Sequence, residues 1–278
     1  MAESFTPLVD VLGNLDSNAL LEQVSGLVAL YWGNPADGQS VLDICGGGKI
    51  LAWFFDPDHE VTSTALVQQG NHYYIWICGT VNVGQWLGNL TGALWPAEYG
   101  TKTLVHGFFL SVATQLWQNA QQYLPDPSTT PTITIVGHSL GGGVAQVITP
   151  LLIDKYGAAN VETLGIAQPR AFTLGLADST FGPKYYRVRM LGDPVPQLPP
   201  TSGDTVVLIV LLTPRFFSIP WSWVHYGKGY ILGTDGSLNP DPNDTYWSGA
   251  PFTWAVNFNP TLHFIANIAQ YVEKGASP

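Results

Sequence analysis

A serine is enclosed by glycines near the middle of the chain, in the segment GHSLG at positions 137–141. An apolar run at 133–136 precedes this segment, and a run of small residues compatible with a helix follows it. A serine on a tight turn between a strand and a helix presents its Oγ above the sheet, and such a turn leaves no room for a Cβ two positions away. The pattern therefore predicts that Ser139 is a nucleophile, with the first N–H groups of the helix facing the oxyanion that forms on attack.

A serine nucleophile needs a histidine as its base and a carboxylate that orients this histidine. In chains with this kind of serine turn, the acid and then the histidine follow the serine. Asp193 comes directly after an apolar strand pattern, which places it at the same sheet edge as Ser139. His225 and His263 both lie downstream, and the residue order alone leaves both open as the base. His138 adjoins the serine, so we expect its side chain to point away from Oγ and to pack internally.

The segments around these residues alternate between strand-like and helix-like patterns. Apolar residues at helical spacing predict helices at 15–32, 103–123, 140–156 and 263–273, with Asp16 or Ser17 as the cap of the first. Apolar and β-branched runs predict strands at 61–68, 72–78, 133–136, 161–166 and 185–191, and an added antiparallel pair at 206–213 and 226–232. The segments 79–102 and 235–260 read as loops. This order predicts an α/β fold with a mostly parallel, right-handed doubly wound sheet flanked by helices, in one domain over residues 1–278.

Composition narrows the range of partners. Only 11% of the 278 residues are charged, and the formal net charge is −10, which disfavours nucleic acid and anionic membranes but not a neutral lipid–water interface. The two cysteines, Cys45 and Cys78, are too few for a disulfide framework, and a free buried thiol is expected at Cys78. We expect no transmembrane segment, metal, cofactor or obligate protein partner. The first residues carry no secretory pattern, so the chain is either cytoplasmic or a mature secreted form.

Several motifs in this order resemble the class 3 lipase family, the α/β-hydrolases related to filamentous-fungal triacylglycerol lipases. The serine turn VGHSLGGGVA and the aspartate turn GDPVPQLPP at 192–200 are the most specific of them. The others are IWICGTVNVGQWLGNL at 75–90, VHGFFLSV at 105–112, GIAQPRAF at 165–172 and PTLHFIANIAQYV at 260–272. The resemblance extends from about residue 70 to the C-terminus.

The resemblance implies a role for each site residue. Ser139 is implied as nucleophile, Asp193 as orienting acid and His263 as base. His225, in SWVHYG, resembles a histidine of the family that is not catalytic. The backbone N–H groups of Leu140 and Thr80 are implied as the oxyanion hole, with the Thr80 hydroxyl as a further donor.

The segment NVGQWLGNLT at 82–91 is similar to the lid of the family. Val83, Trp86, Leu87 and Leu90 recur at spacings of three and four, which gives a short helix one apolar face. We expect this face to cover Ser139 in water and to turn outward on a lipid surface, with neighbouring glycines allowing the movement. A buried loop helix with the same stripe is the alternative.

The resemblance implies a serine carboxylester hydrolase, and we expect a lipase that hydrolyses acylglycerol esters through an acyl-enzyme on Ser139. The same residues would serve a feruloyl or acetyl-xylan-type esterase or a phospholipase A1, because the fold does not choose among ester substrates. A hydrolase-like module that only binds apolar ligands is the non-enzymatic alternative.

Overall fold

The computed structural model describes residues 7–10, 13–32, 48–56, 61–79, 96–99, 103–173, 175–193, 195–197, 205–210, 213–218, 223–241 and 264–276. The helices in these ranges are α1 (Ser17–Trp32), α2 (Gly107–Ala120), α3 (Leu140–Tyr156) and α4 (Ile265–Gly275). The strands are β1 (Lys49–Asp56), β2 (Val61–Gln69), β3 (His72–Ile77), β4 (Pro96–Tyr99), β5 (Thr103–His106), β6 (Thr132–His138), β7 (Val161–Ile166), β8 (Phe172–Thr173), β9 (Tyr185–Met190), β10 (Thr205–Val210), β11 (Thr213–Ser218), β12 (Trp223–Val224), β13 (Lys228–Leu232) and β14 (Leu238–Pro240).

The predicted α/β sheet is confirmed. Eight strands pair in the order β1-β2-β3-β6-β7-β9-β13-β14. The five central strands, from β3 to β13, run parallel, while β1 and β2 on one side and β14 on the other are antiparallel to their neighbours. Because parallel strands all end at the same edge, the residues that follow β3, β6, β7 and β9 come together there.

Helices cover both faces of this sheet. On one face α2 and α3 pack together, and Phe109, Val144 and Leu152 enter a core with inward side chains of the strands. On the other face α1 packs against α4, and Leu20, Leu27 and Ile268 form a second core. A parallel sheet with cores on both faces explains why β3, β6 and β7 are almost wholly buried and carry apolar runs.

The prediction of one helix over 103–123 was wrong at its start. The segment Thr103–His106 is a strand, and α2 begins at Gly107. Backbone pairing decides this, because β5 lies between β4 and β8 in a second sheet of order β12-β8-β5-β4. The strand β4 also replaces part of the loop predicted over 79–102.

The antiparallel pair predicted from 206–213 and 226–232 was also wrong. β10 forms a separate hairpin with β11, while β13 adds to the main sheet parallel to β9. Within the loop predicted over 235–260, β14 pairs with β13. The predicted cap was right for Asp16, whose Oδ1 accepts the N–H groups of Asn18 and Ala19, each at 2.9 Å.

Three smaller observations concern membranes, metals and cysteines. No helix among the described residues is long and apolar enough to cross a membrane. The same residues contain no cluster of acidic, histidine or cysteine side chains that could hold a metal ion. Cys78 is free and buried, as predicted, and its S–H donates to the carbonyl of Leu27 at 3.6 Å. Cys45 lies outside the described residues.

We expect two buried histidines to destabilise the fold in mild acid. Burial lowers the pKa of His72 to about 4, with a further contribution from the charge of Lys184, and burial alone lowers the pKa of His106 to about 4. In the unfolded chain both titrate near pH ~6.5, so below that pH the unfolded state binds more protons and stability falls as the pH drops toward 4. At pH ~5 the loss is roughly 2 kcal/mol for each histidine.

Urea denaturation at neutral pH and in mild acid measures this loss. His106→Leu is the matched variant, because neither ring nitrogen has a hydrogen-bond partner within the described structure. The variant should keep the stability measured at neutral pH and lose less of it in acid than the parent chain. An unchanged pH dependence would contradict the assignment to His106.

Candidate active site

The turn at Ser139 is a strained backbone conformation. β6 ends at His138 and α3 begins at Leu140, so Ser139 alone makes the turn, with φ 57° and ψ −125°. A non-glycine residue in this region costs roughly 1–3 kcal/mol, which the surroundings must offset. The Ser139 N–H donates to the carbonyl of Ile166 at 2.9 Å, and its own carbonyl accepts the N–H of Gly142 at 2.9 Å. The turn is therefore held from both sides.

The glycines around Ser139 are required by close backbone contacts. A Cβ on Gly137 would collide with the carbonyl of Gly141. A Cβ on Gly141 would collide with the carbonyl oxygens of Ile77 and Cys78, because the first turn of α3 lies directly on the end of β3. The spacing Gly-x-Ser-x-Gly thus has the steric cause expected from the sequence.

The start of α3 carries Leu140, one of the two predicted oxyanion donors. In any α-helix the first four N–H groups lack a partner within the helix. Here the N–H groups of Gly142 and Gly143 turn back to the Ser139 carbonyl. Leu140, the predicted oxyanion donor, is the first residue of the helix and is buried beside the turn. The other predicted donor, Thr80, lies outside the described residues, which reach Gly79 at the end of β3.

Asp193 lies at the same edge of the sheet as Ser139. It follows β9, which is separated from β6 by the single strand β7. The carboxylate is 2% exposed, and its Oδ1 accepts the N–H of Val195 at 2.9 Å. Its own N–H donates to the carbonyl of Met190 at 3.3 Å, across a turn in which Gly192 has φ 90°. The aspartate is therefore fixed by its own turn rather than free on the surface.

His225 packs behind the Asp193 turn. Its Nε2 lies 2.6 Å from the carbonyl oxygen of Pro196, which can only accept, so Nε2 carries the proton. Burial lowers the pKa of His225 well below its ordinary value, and the charges of Arg187 and Arg170 add to this effect. The neutral His225 directly follows β12, and its hydrogen bond to Pro196 connects the end of this strand to the turn that carries Asp193.

Other predicted site residues lie outside the described residues. These are His263, immediately before Phe264 at the start of α4, and the lid residues Val83, Trp86, Leu87 and Leu90.

Sequence reasoning missed two features near the turn. Tyr31, at the end of α1, places its hydroxyl 2.8 Å from Nδ1 of His138 and 2.5 Å from the N–H of Gly79. No motif marks this tyrosine, because its partners are distant in the sequence. Ala167, directly after β7, has φ 48° without a glycine or asparagine that would signal it. Its N–H donates to the carbonyl of Val188 at 2.8 Å, which explains how the conformation is held.

A parallel sheet flanked by helices on both faces, with a serine turn after a central strand and an aspartate at the same edge, defines the α/β-hydrolase fold. Residues 74–203 match the model of the class 3 lipases. This segment includes both Ser139 and Asp193, so the part of the chain that carries the candidate site is similar to the class 3 lipases.

Solved lipase structures share the fold over most of the chain. Lipase II from Rhizopus niveus is 16% identical with a TM-score of 0.69, and the match covers 88% of this chain and 93% of that one. Rhizomucor miehei triacylglyceride lipase is 18% identical with a TM-score of 0.63, over 91% of this chain and 96% of that one. A triacylglycerol lipase with a serine protease triad as its catalytic centre is 20% identical with a TM-score of 0.65, over 92% and 94%. At these identities the likeness concerns the fold alone.

Proposed function

We propose that this protein hydrolyses acylglycerol esters through an acyl-enzyme on Ser139. The observation that carries the proposal is the strained serine turn at the start of α3, with a buried aspartate at the same sheet edge. Backbone strain at a buried serine is retained where function requires the side chain to be raised. A binding module would have no need of it.

The reaction follows from the chemistry of these groups. His263 takes the proton of the Ser139 hydroxyl as Oγ forms a bond to the ester carbonyl carbon. The carbonyl oxygen becomes an oxyanion, which the N–H groups of Leu140 and Thr80 stabilise. Collapse breaks the bond to the alcohol, which leaves with the proton from His263. Water then attacks the acyl carbon with His263 again as base. The bond to Oγ of Ser139 breaks, the carboxylic acid leaves and His263 returns the proton to Oγ, while Asp193 orients the imidazolium in both steps.

The surroundings of His225 favour His263 as the base. To accept the serine proton, a histidine must present an unprotonated ring nitrogen to Oγ. The Nε2 of His225 is engaged with the carbonyl of Pro196 at 2.6 Å, and its unprotonated Nδ1 is buried with no hydrogen-bond partner within the described structure, so it does not meet Oγ of Ser139 there. Three arginines lower its pKa together with burial, so it is a poor proton acceptor. The hydrogen bond to Pro196 instead gives His225 the role of holding the turn that carries Asp193.

Several observations support a lipid ester as substrate. The structural relatives named above include triacylglycerol lipases. Leu191, two residues before Asp193, and Phe264, directly after His263, are exposed large apolar residues, at 62% and 46%. A low charged fraction leaves the surface compatible with a neutral lipid interface. The predicted lid over 82–91 would add to this apolar area.

A panel of esters tests the proposed substrate class. We expect hydrolysis of nitrophenyl esters with medium and long acyl chains and of triacylglycerol emulsions, with much slower reaction of methyl ferulate and phosphatidylcholine. Activity that is highest on methyl ferulate or on phosphatidylcholine would contradict the lipase proposal and favour the corresponding esterase or phospholipase. No activity on any ester would favour the binding module.

The same assay tests the lid. With a partly soluble triacylglycerol, the rate should rise sharply as the substrate passes its solubility limit. Trp86→Ala should reduce turnover of the emulsion more than that of a soluble ester. A smooth curve, together with unchanged turnover of the emulsion by the variant, would count against a lid.

A further inference from the structure

Helix α1 packs against β3 and is hydrogen-bonded to it. β3 is the strand that leads to Thr80, the predicted oxyanion donor. Trp76 Nε1–H donates to the Gln23 side chain at 2.9 Å, and Gly26 lies so close to the same indole that a Cβ would be 2.8 Å from the ring. One turn further, the Cys78 thiol donates to the carbonyl of Leu27. Residues 23, 26 and 27 lie on one face of a helix, so α1 contacts the end of β3 continuously along this face. We call this contact the α1–β3 interface.

Tyr31 lies at the end of the α1–β3 interface, at the sheet edge that carries Ser139. The N–H of Gly79, beyond the last ladder residue of β3, donates to the Tyr31 hydroxyl at 2.5 Å. The same oxygen lies 2.8 Å from Nδ1 of His138, the residue before Ser139. One hydroxyl thus joins the end of α1, the end of β3 and the end of β6.

The direction of one of these hydrogen bonds is fixed. The Gly79 N–H can only donate, so the Tyr31 oxygen accepts from it. Burial raises the pKa of Tyr31 well above its ordinary value, with Cys78 adding to the increase. The hydroxyl therefore keeps its proton throughout the pH range in which esterases work.

The end of β3 and the turn at Ser139, which the Tyr31 hydroxyl connects, lie very close together. A Cβ on Gly79 would approach Cβ of Ser139, the carbonyl of His138 and the Tyr31 hydroxyl all at once. The chain leaving β3 therefore runs directly past the nucleophile before it reaches Thr80. A small movement of this segment would change the distance between the nucleophile and the second oxyanion donor.

We propose that Tyr31 is a positioning residue that sets the spacing between the strand end leading to Thr80 and the turn carrying Ser139. The inference rests on the proposed function, because it assumes that Ser139 reacts and that Thr80 stabilises the oxyanion. Loss of an oxyanion donor costs about 10²- to 10³-fold in turnover, and a misplaced donor costs part of this. We expect Tyr31→Phe to lower kcat about 10- to 100-fold on a soluble nitrophenyl ester and to leave KM within about twofold.

Tyr230→Phe is the matched control. The Tyr230 side chain is buried, and its hydroxyl likewise accepts a backbone N–H, that of Leu15, at 3.3 Å, but it lies on β13, which β7 and β9 separate from β6, the strand whose end carries the turn. Both variants should lose similar thermal stability, while only Tyr31→Phe should lose kcat. An alkylboronic acid, which forms a tetrahedral adduct with a serine nucleophile, should bind Tyr31→Phe more weakly by about the same factor as the loss in kcat.

Amide exchange gives a readout that does not depend on activity. In the parent chain the Gly79 N–H should be protected from exchange, and Tyr31→Phe should release it while the amides within β3 remain protected. Unchanged kcat and boronate affinity in Tyr31→Phe, or equal losses in both variants, would overturn the inference. A parent chain that hydrolyses no ester and binds no boronate would instead overturn the proposed function.

Discussion

Replacing Ser139 by glycine should abolish ester hydrolysis and at the same time stabilise the folded protein. The loss of activity follows from removal of the nucleophile, which in serine hydrolases costs on the order of 10⁶-fold in kcat. The gain in stability follows from the backbone at φ 57° and ψ −125°, which glycine adopts without a steric penalty. Relief of roughly 1–3 kcal/mol of strain, less about 0.5–1 kcal/mol for the entropy of glycine, leaves a net gain of about 1 kcal/mol.

Ser139→Ala separates the two effects. Alanine removes the hydroxyl but keeps the Cβ, so this variant should be equally inactive without the same gain in stability. Denaturation of the two variants under identical conditions gives the difference directly. If the glycine variant were no more stable than the alanine variant, the turn would not be strained in the way that its dihedral angles indicate.

The two downstream histidines should respond differently to replacement. His263→Ala should lower kcat by about 10⁴-fold or more, because both the proton acceptor and the later proton donor are lost. His225→Ala should lower kcat by only about tenfold and should reduce stability, because it leaves the buried Pro196 carbonyl without its donor. Measuring kcat and the unfolding midpoint for both variants tests this division of roles.

His225→Asn provides a control for the second half of that prediction. Its amide N–H can replace part of the hydrogen bond to Pro196, so both activity and stability should recover partly. A loss of activity in His225→Ala as large as that in His263→Ala, with the fold intact, would contradict the assignment of the base.

The fold around the serine was predictable because its constraints are local in the sequence. The two glycines of GHSLG each face a backbone carbonyl at a distance that excludes any Cβ, so their spacing carries the shape of the turn. The apolar strands β6, β7 and β9 are buried on both faces, which makes their runs continuous and easy to recognise. The helix α3 spans 140–156, as predicted, because its first residue is set by the same local serine turn.

The errors arose where pairing over long distances decided the structure. The apolar residues of 103–106 fit a helix or a strand equally well, and only the neighbours β4 and β8 select the strand. The run at 206–210 pairs with the next strand along the chain, whereas the strand beginning at Lys228 pairs with β9. Tyr31 was missed because its hydroxyl meets partners 48 and 107 residues away.

Covalent labelling with a fluorophosphonate tests the central claim most directly. The parent chain should take up one equivalent, and peptide mapping should place the adduct on Ser139. His263→Ala should label far more slowly, and His225→Ala should still label. An ester-hydrolysing chain with the adduct on another residue, or labelling that is lost only in His225→Ala, would contradict the account.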